Sequence, residues 1–287
     1  MKIIMVPVSN RPESNTTLEI AAELAARLDA SVVGSHLRPH RDLDKDYAPS
    51  GLPLFGSPNR KWLDELGTKS TKSAAHQAHK NFTRIVTEAG LEIVRKPRMG
   101  RGKTAMWQEK VGSPDRLMAI SGPVSDLTVV SRPSAKGNVG RMFLLAALMQ
   151  TGRPVLVAPP KPVKSMGRRI AIAWNQSPEV SRVVSSVMSL VQSADQVTII
   201  SCGLQDRLGP KASQFKSYLR AWGADARVVT TRGKDEESEM MSVYRETKSD
   251  LLLMGAYSRS RFREVVFGGM TEFMLWRAKV PLIIQHA

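Results

Sequence analysis

RRIAIAWNQSPEVSRVVSSVMSLVQSADQVTIIS, residues 168–201, is the stretch whose reading decides the fold. RRIAIAWN is a short apolar run, and Ser177 with Pro178 makes an N-cap followed by a first helical residue. Val180, Val183, Val184, Val187, Leu190 and Val191 then recur on one helical face, after which VTIIS reads as a second strand. The same order opens the chain. KIIMVPVS is followed by NRPE, then by a periodic segment with Leu18, Ala21, Ala22, Ala25 and Leu28 on one face, then by SVVGSHL. In that segment Thr16 and Glu19 form a capping-box pattern. Each copy closes on two further apolar runs, DLTVVS and PVLVAPP in the first, DLLLMG and VPLIIQ in the second. Unbroken apolar strands that alternate with helices predict parallel sheets covered on both faces.

The expected fold is therefore α/β, two tandem doubly wound parallel-sheet, Rossmann-like domains over residues 1–160 and 168–287, with KPVKSMG as the linker. Pro7 aligns with Ala173, Ser131 with Gly255 and Pro154 with Pro281. The first copy carries an insertion, assigned to residues 40–73, where Pro49, Gly51, Pro53, Gly56 and Pro58 precede a helical stretch beginning near Lys61. Beyond Ser131 it is the shorter of the two.

Composition narrows the class. A chain of 287 residues, 42% of them apolar, favours two domains of ordinary size. No apolar run reaches the roughly 18 residues of a membrane span, and IIMVPV is too short for the core of a signal peptide. A soluble cytoplasmic protein is expected. The single cysteine, Cys202, excludes an intrachain disulfide and reads as a buried structural thiol. A net charge of +16 favours contact with polyanions, but the excess is spread over both halves, so a dedicated nucleic-acid tail is not expected.

Ligands of open parallel sheets bind beyond the carboxyl ends of the strands, where the direction of connection reverses. In the second copy this selects the end of the first strand and the loop MGAYSRSRFREVVFGGMTEFML. Gly268, Gly269, Met270 and Thr271 read there as a phosphate cradle, because glycine admits close backbone approach and free N–H groups at a helix start favour phosphate oxygens. MGAYSRSRFREVVFGGMT resembles the nucleotide-binding loop of the universal stress protein family, in which glycines stand at fixed spacing before Ser or Thr. Gly255 and Gly268 match. Ser258 occupies the middle glycine position, Gly269 replaces the hydroxyl residue, and Thr271 offers a hydroxyl two positions later.

The resemblance covers both halves and implies an adenine nucleotide alpha hydrolase-like fold. It implies ATP, with or without Mg2+, as the ligand of the second domain. Asn175 stands where ATP-binding members have an aspartate, with Ala173 two residues before it, Met254 and Gly255 fall where the family meets nucleotide, and Arg259 adds positive charge beside the expected phosphates. In the first copy Ser9 and Ser131 replace the corresponding aspartate and glycine, and Pro133 follows, so that half is expected to bind no ATP. It is expected instead to pack on the second as an internal pseudo-dimer partner, with homodimerisation of the whole chain left open. The function implied is stress-response binding or signalling, not catalysis. Weak ATP hydrolysis in the same pocket, or a degenerate interaction protein with a basic surface, are the alternatives.

Other motifs are weaker. MGRGKT follows LEIVRK, which reads as a strand, and ends like a P-loop, but Pro97 stands where its first glycine belongs and supplies neither the N–H nor the positive φ. His76 and His79 share one helix face without further ligands nearby, which reads as a polar helix surface. The five tryptophans are dispersed and read as packing residues.

Overall fold

The computed structural model describes residues 1–38, 72–133, 138–161, 163, 166–203, 208–233, 235–256 and 269–286. The first half contains β1 (Ile3–Val8), α1 (Pro12–Leu28), β2 (Ser31–Arg38), α2 (Lys72–Glu88), β3 (Glu92–Ile93) and β4 (Thr104–Val111). It continues through α3 (Pro114–Ser121), β5 (Leu127–Ser131), α4 (Asn138–Gln150) and β6 (Val155–Ala158). The second contains β7 (Arg169–Ala173), α5 (Pro178–Ser186), α6 (Met188–Gln192), β8 (Gln196–Ser201), α7 (Ala212–Ala221) and β9 (Ala226–Thr230). It ends in α8 (Glu236–Glu246), β10 (Leu251–Gly255), α9 (Gly269–Glu272), a π-helical turn over Phe273–Arg277, and β11 (Leu282–Gln285).

The described strands form one 11-stranded sheet in the order β3-β4-β2-β1-β5-β6-β11-β10-β7-β8-β9. Neighbours pair in parallel except at the centre, where β6 and β11 run antiparallel with Ile283 opposite Leu156. The sequence-level expectation of parallel sheets thus holds within each half, and the halves join edge to edge. Strand residues alternate between two buried layers. Ile4 and Val6 pack with α1, while Met5 packs with Met118 and Leu144 on the opposite face.

A repeated polar anchor accounts for the Ser-Asp-Leu that precedes β5 and β10. Asp250 accepts hydrogen bonds from the backbone N–H groups of Gly167, Arg168 and Arg169 at 3.0, 3.1 and 3.0 Å. Asp126 accepts in the same way from Lys2 and Ile3. Each carboxylate satisfies the N–H groups that open the first strand of its half, a charge-assisted arrangement stronger than neutral pairing.

Three local features differ from the sequence reading. α1 begins at Pro12 with Arg11 as N-cap, so Thr16 lies inside the helix, is buried, and does not cap it. The valine-rich helix is interrupted at Val187 (φ −114, ψ 26) and resumes as α6, although Val180, Val183, Val184, Leu190 and Val191 are all buried as the periodicity requires. The strand read in LEIVRK is confined to β3, Glu92–Ile93, which pairs outside β4, where the second half passes from α7 to β9 through residues 222–225. The expected insertion and its helical start near Lys61 lie outside the described residues up to residue 71. Among the described residues, no helix is long and apolar enough to cross a membrane.

Candidate functional site

From β7 the chain moves outward to β8 and β9, then returns across β7 to place β10 on its other side. The carboxyl ends of β7 and β10 therefore flank a topological switch point, and β1 and β5 flank its counterpart. Leu253 pairs with Ile172, so Met254 and Gly255 end beside Ala173 and the turn that follows it.

That turn is tightly built. Gln176 takes φ +61, the left-handed region, at a cost of about 1 kcal/mol for a residue with a Cβ. It is held there by burial and by Nε2 donating to Gly209 O at 3.0 Å. Asn175 is exposed, and its Oδ1 accepts from the Ser177 N–H at 3.2 Å, so part of its acceptor capacity is already committed to the turn. Trp174 is 2% exposed, stacks on Phe215 at 3.8 Å between ring centroids, and donates Nε1–H to Pro210 O. It is a packing residue, as its isolation in the sequence indicated.

Of the residues expected to meet a ligand, Ala173 is half-buried at the end of β7, and Met254 is buried with only its backbone available. Gly255 is bare for a structural reason: a Cβ there would stand 2.6 Å from Glu179 Cβ and 2.9 Å from Val180 N, so the first turn of α5 packs directly on it. Gly269 is exposed at the start of α9, Met270 is half-buried, and Thr271 is buried at 6% exposure. Ser258, Arg259 and Gly268 lie outside the described residues. A neighbour that sequence spacing did not reveal is Glu237, in the acidic first turn of α8. Its Oε1 lies 3.5 Å from the position a Cβ on Gly269 would take. A carboxylate therefore stands beside the proposed phosphate cradle. Cys202, near the same end of the sheet, has its thiol pushed up by burial, against an opposing hydrogen bond from Thr231.

The first-half counterpart is lined by Ser9, Arg11, Ser14, Thr17, Ser131 and Gly140, and holds a cavity of about 60 Å3. Ser14 Oγ accepts from the Ser9 N–H, and Ser9 Oγ from the Arg11 N–H, so its polar groups serve the loop itself.

Two arginines beyond Ser131 reach the second half. Arg132 is half-buried and donates to Met274 O at 2.7 Å, Leu275 O at 2.6 Å and Val280 O at 2.6 Å. Burial pushes its guanidinium down to about 10, still fully charged at neutral pH. Arg141 places its guanidinium 5.1 Å from the centroid of the Trp276 ring. In the other direction Gln285 donates Nε2–H to Gly152 O at 3.1 Å, just past α4.

Among the described residues no three His, Cys, Asp or Glu side chains gather in a way that could hold a metal ion. His76 and His79 lie on α2, both exposed, with the His79 ring 5.0 Å from Trp107 and edge-on to it.

The strand order defines an open α/β sheet with paired switch points. The sequence matches no family profile and no curated protein. Among solved structures, the crystal structure of a universal stress protein from Archaeoglobus fulgidus DSM 4304 superimposes with a TM-score of 0.68 at 14% identity, covering 99% of this chain and 96% of that one. A functionally unknown protein from Pseudomonas aeruginosa PAO1 gives 0.55 at 10% identity, covering 100% of this chain and 92% of that one. The chain has the universal stress protein fold along its whole length, as the resemblance in MGAYSRSRFREVVFGGMT implied.

Proposed function

We propose that this protein is a cytoplasmic stress-response binding protein whose second unit, residues 168–287, takes ATP or a related adenine nucleotide. Its site consists of Ala173, Asn175, Met254, Gly255, Ser258, Arg259, Gly268, Gly269, Met270 and Thr271. The first unit, residues 1–160, is its pseudo-dimer partner. The observation that carries the reading is the adjacency of the β7 and β10 ends at a switch point, with Gly269 opening the following helix. Nucleoside binding falls to the Asn175 turn and the backbone at Met254, and phosphate binding to the helix start and Arg259. Glu237 is a carboxylate beside that start, and it would meet Mg2+ if the cation accompanies the phosphates.

The first unit is assigned no nucleotide. A cavity of about 60 Å3 is far below the roughly 300 Å3 that small-molecule sites begin at, and Ser9, Ser131 and Pro133 stand in the contact positions. Release of ligand from purified protein into mass spectrometry, with ATP titration of the emptied protein, tests the proposal. Adenine nucleotide in the released fraction is the expected result. Absence of both released nucleotide and binding at millimolar ATP would sink it.

A further inference from the structure

The loop in the first half that lost the nucleotide contacts is the one that reaches the second half. Arg132 follows β5 directly, and Arg141 lies on α4; together they bracket the segment that corresponds to the nucleotide loop of the second half. Both grip one feature, the π-helical turn Phe273–Arg277 that continues α9 from Gly269. A π-helical turn displaces the regular backbone bonds, and the last carbonyls of any helix lack intrahelical donors. Arg132 supplies donors to two such carbonyls, those of Met274 and Leu275, and to Val280 O in the stretch that leads to β11, and a cation there also complements the negative end of the helix dipole. Arg141 adds a cation over the face of Trp276, within the range at which the ring attracts it. The reverse contact, Gln285 to Gly152, is a single neutral hydrogen bond to the corresponding end of α4. The grip is asymmetric. The position corresponding to Arg132 in the second half is Ala256, which is fully buried and carries no donor.

We infer that the first half is a clamp that positions the helix opening the second half's site, with Arg132 fixing its backbone and Arg141 its Trp276 ring. The consequence for ligand affinity rests on the nucleotide reading above; the clamp itself does not. Neither arginine touches the ligand. Both are positioning residues, and nucleotide affinity in one half depends on them in the other.

Hydrogen exchange and ATP titration of the full chain, with Arg132→Gln, Arg132→Lys and Arg141→Met variants, test this. All measurements are made at a temperature where circular dichroism shows each variant folded. Exchange at residues 270–280 should accelerate about tenfold or more in Arg132→Gln, while α2 in the first half keeps its protection. Arg132→Lys, which keeps the charge but loses the fork, should fall between, and Arg141→Met should accelerate exchange to a smaller degree. ATP Kd should rise about tenfold in Arg132→Gln. As a control, Phe82→Leu in the first-half core should lower the melting temperature without moving ATP Kd. Unchanged exchange at residues 270–280 in Arg132→Gln overturns the clamp. Faster exchange with unchanged ATP Kd overturns the positioning role. If the wild type binds no ATP, the nucleotide reading falls on its own, and exchange still decides the clamp.

Discussion

Glu237 shows how one side chain changes the chemistry assigned to a helix start. N–H groups and the dipole at Gly269 favour an anion, but a carboxylate 3.5 Å from where a Gly269 Cβ would stand is already close enough to compete for them. Replacing it with the isosteric amide removes the charge and keeps the shape. Glu237→Gln is expected to tighten ATP binding about threefold to tenfold in Mg2+-free buffer, and less when Mg2+ is present. Calorimetric titration in EDTA checks it. Weaker binding in the variant would mean that Glu237 holds the ligand. The residue was not legible beforehand, because the acidic cluster following Asp235 looks like any helix start in the sequence, and only the fold brings it to Gly269.

At the scale of elements, Gly255, proposed as a site position, is also a packing position. The first turn of α5 fills the space its Cβ would need, which is how the Asn175 turn is held against the end of β10. Gly255→Ala should overpack this junction and destabilise the protein by about 1–3 kcal/mol, read as a lower urea midpoint with an unchanged slope. No change in midpoint would show that α5 yields freely. The fold elements were legible because their signals are local and repeated. Valines at helical spacing marked α5, and the matching apolar runs DLTVVS and DLLLMG marked β5 and β10. The Thr16 and Glu19 pattern misled, because Pro12 and burial of Thr16 against the sheet outweigh a capping motif that fits only in sequence. β3 was legible in part: LEIVRK reads as a strand, but only Glu92 and Ile93 pair with β4 before the basic loop begins. The grip of Arg132 on the π-helical turn was invisible too, because it joins residues more than a hundred positions apart.

Across the whole molecule, the central antiparallel pair β6–β11 makes one sheet of both halves and hides an edge of each. An isolated fragment of residues 168–287 would expose the edge of β11, whose Leu282, Ile283 and Ile284 are fully buried in the intact chain. Unpaired edges of that kind recruit another chain. Light scattering should therefore find the fragment dimeric or aggregated, and a monodisperse monomer would show that β6 is dispensable. On the proposed reading, the halves joined in one chain divide the work: the second binds the ligand at its switch point, and the first holds the second's helix in place.

The most direct test of the central claim is calorimetric titration of the intact protein with ATP, repeated on Gly269→Asp and Ser131→Asp. The account predicts saturable binding by the wild type, its loss in Gly269→Asp, where a new carboxylate joins Glu237 at the helix start, and its retention in Ser131→Asp. Equal binding by wild type and Gly269→Asp, or loss confined to Ser131→Asp, would place the ligand elsewhere and contradict it.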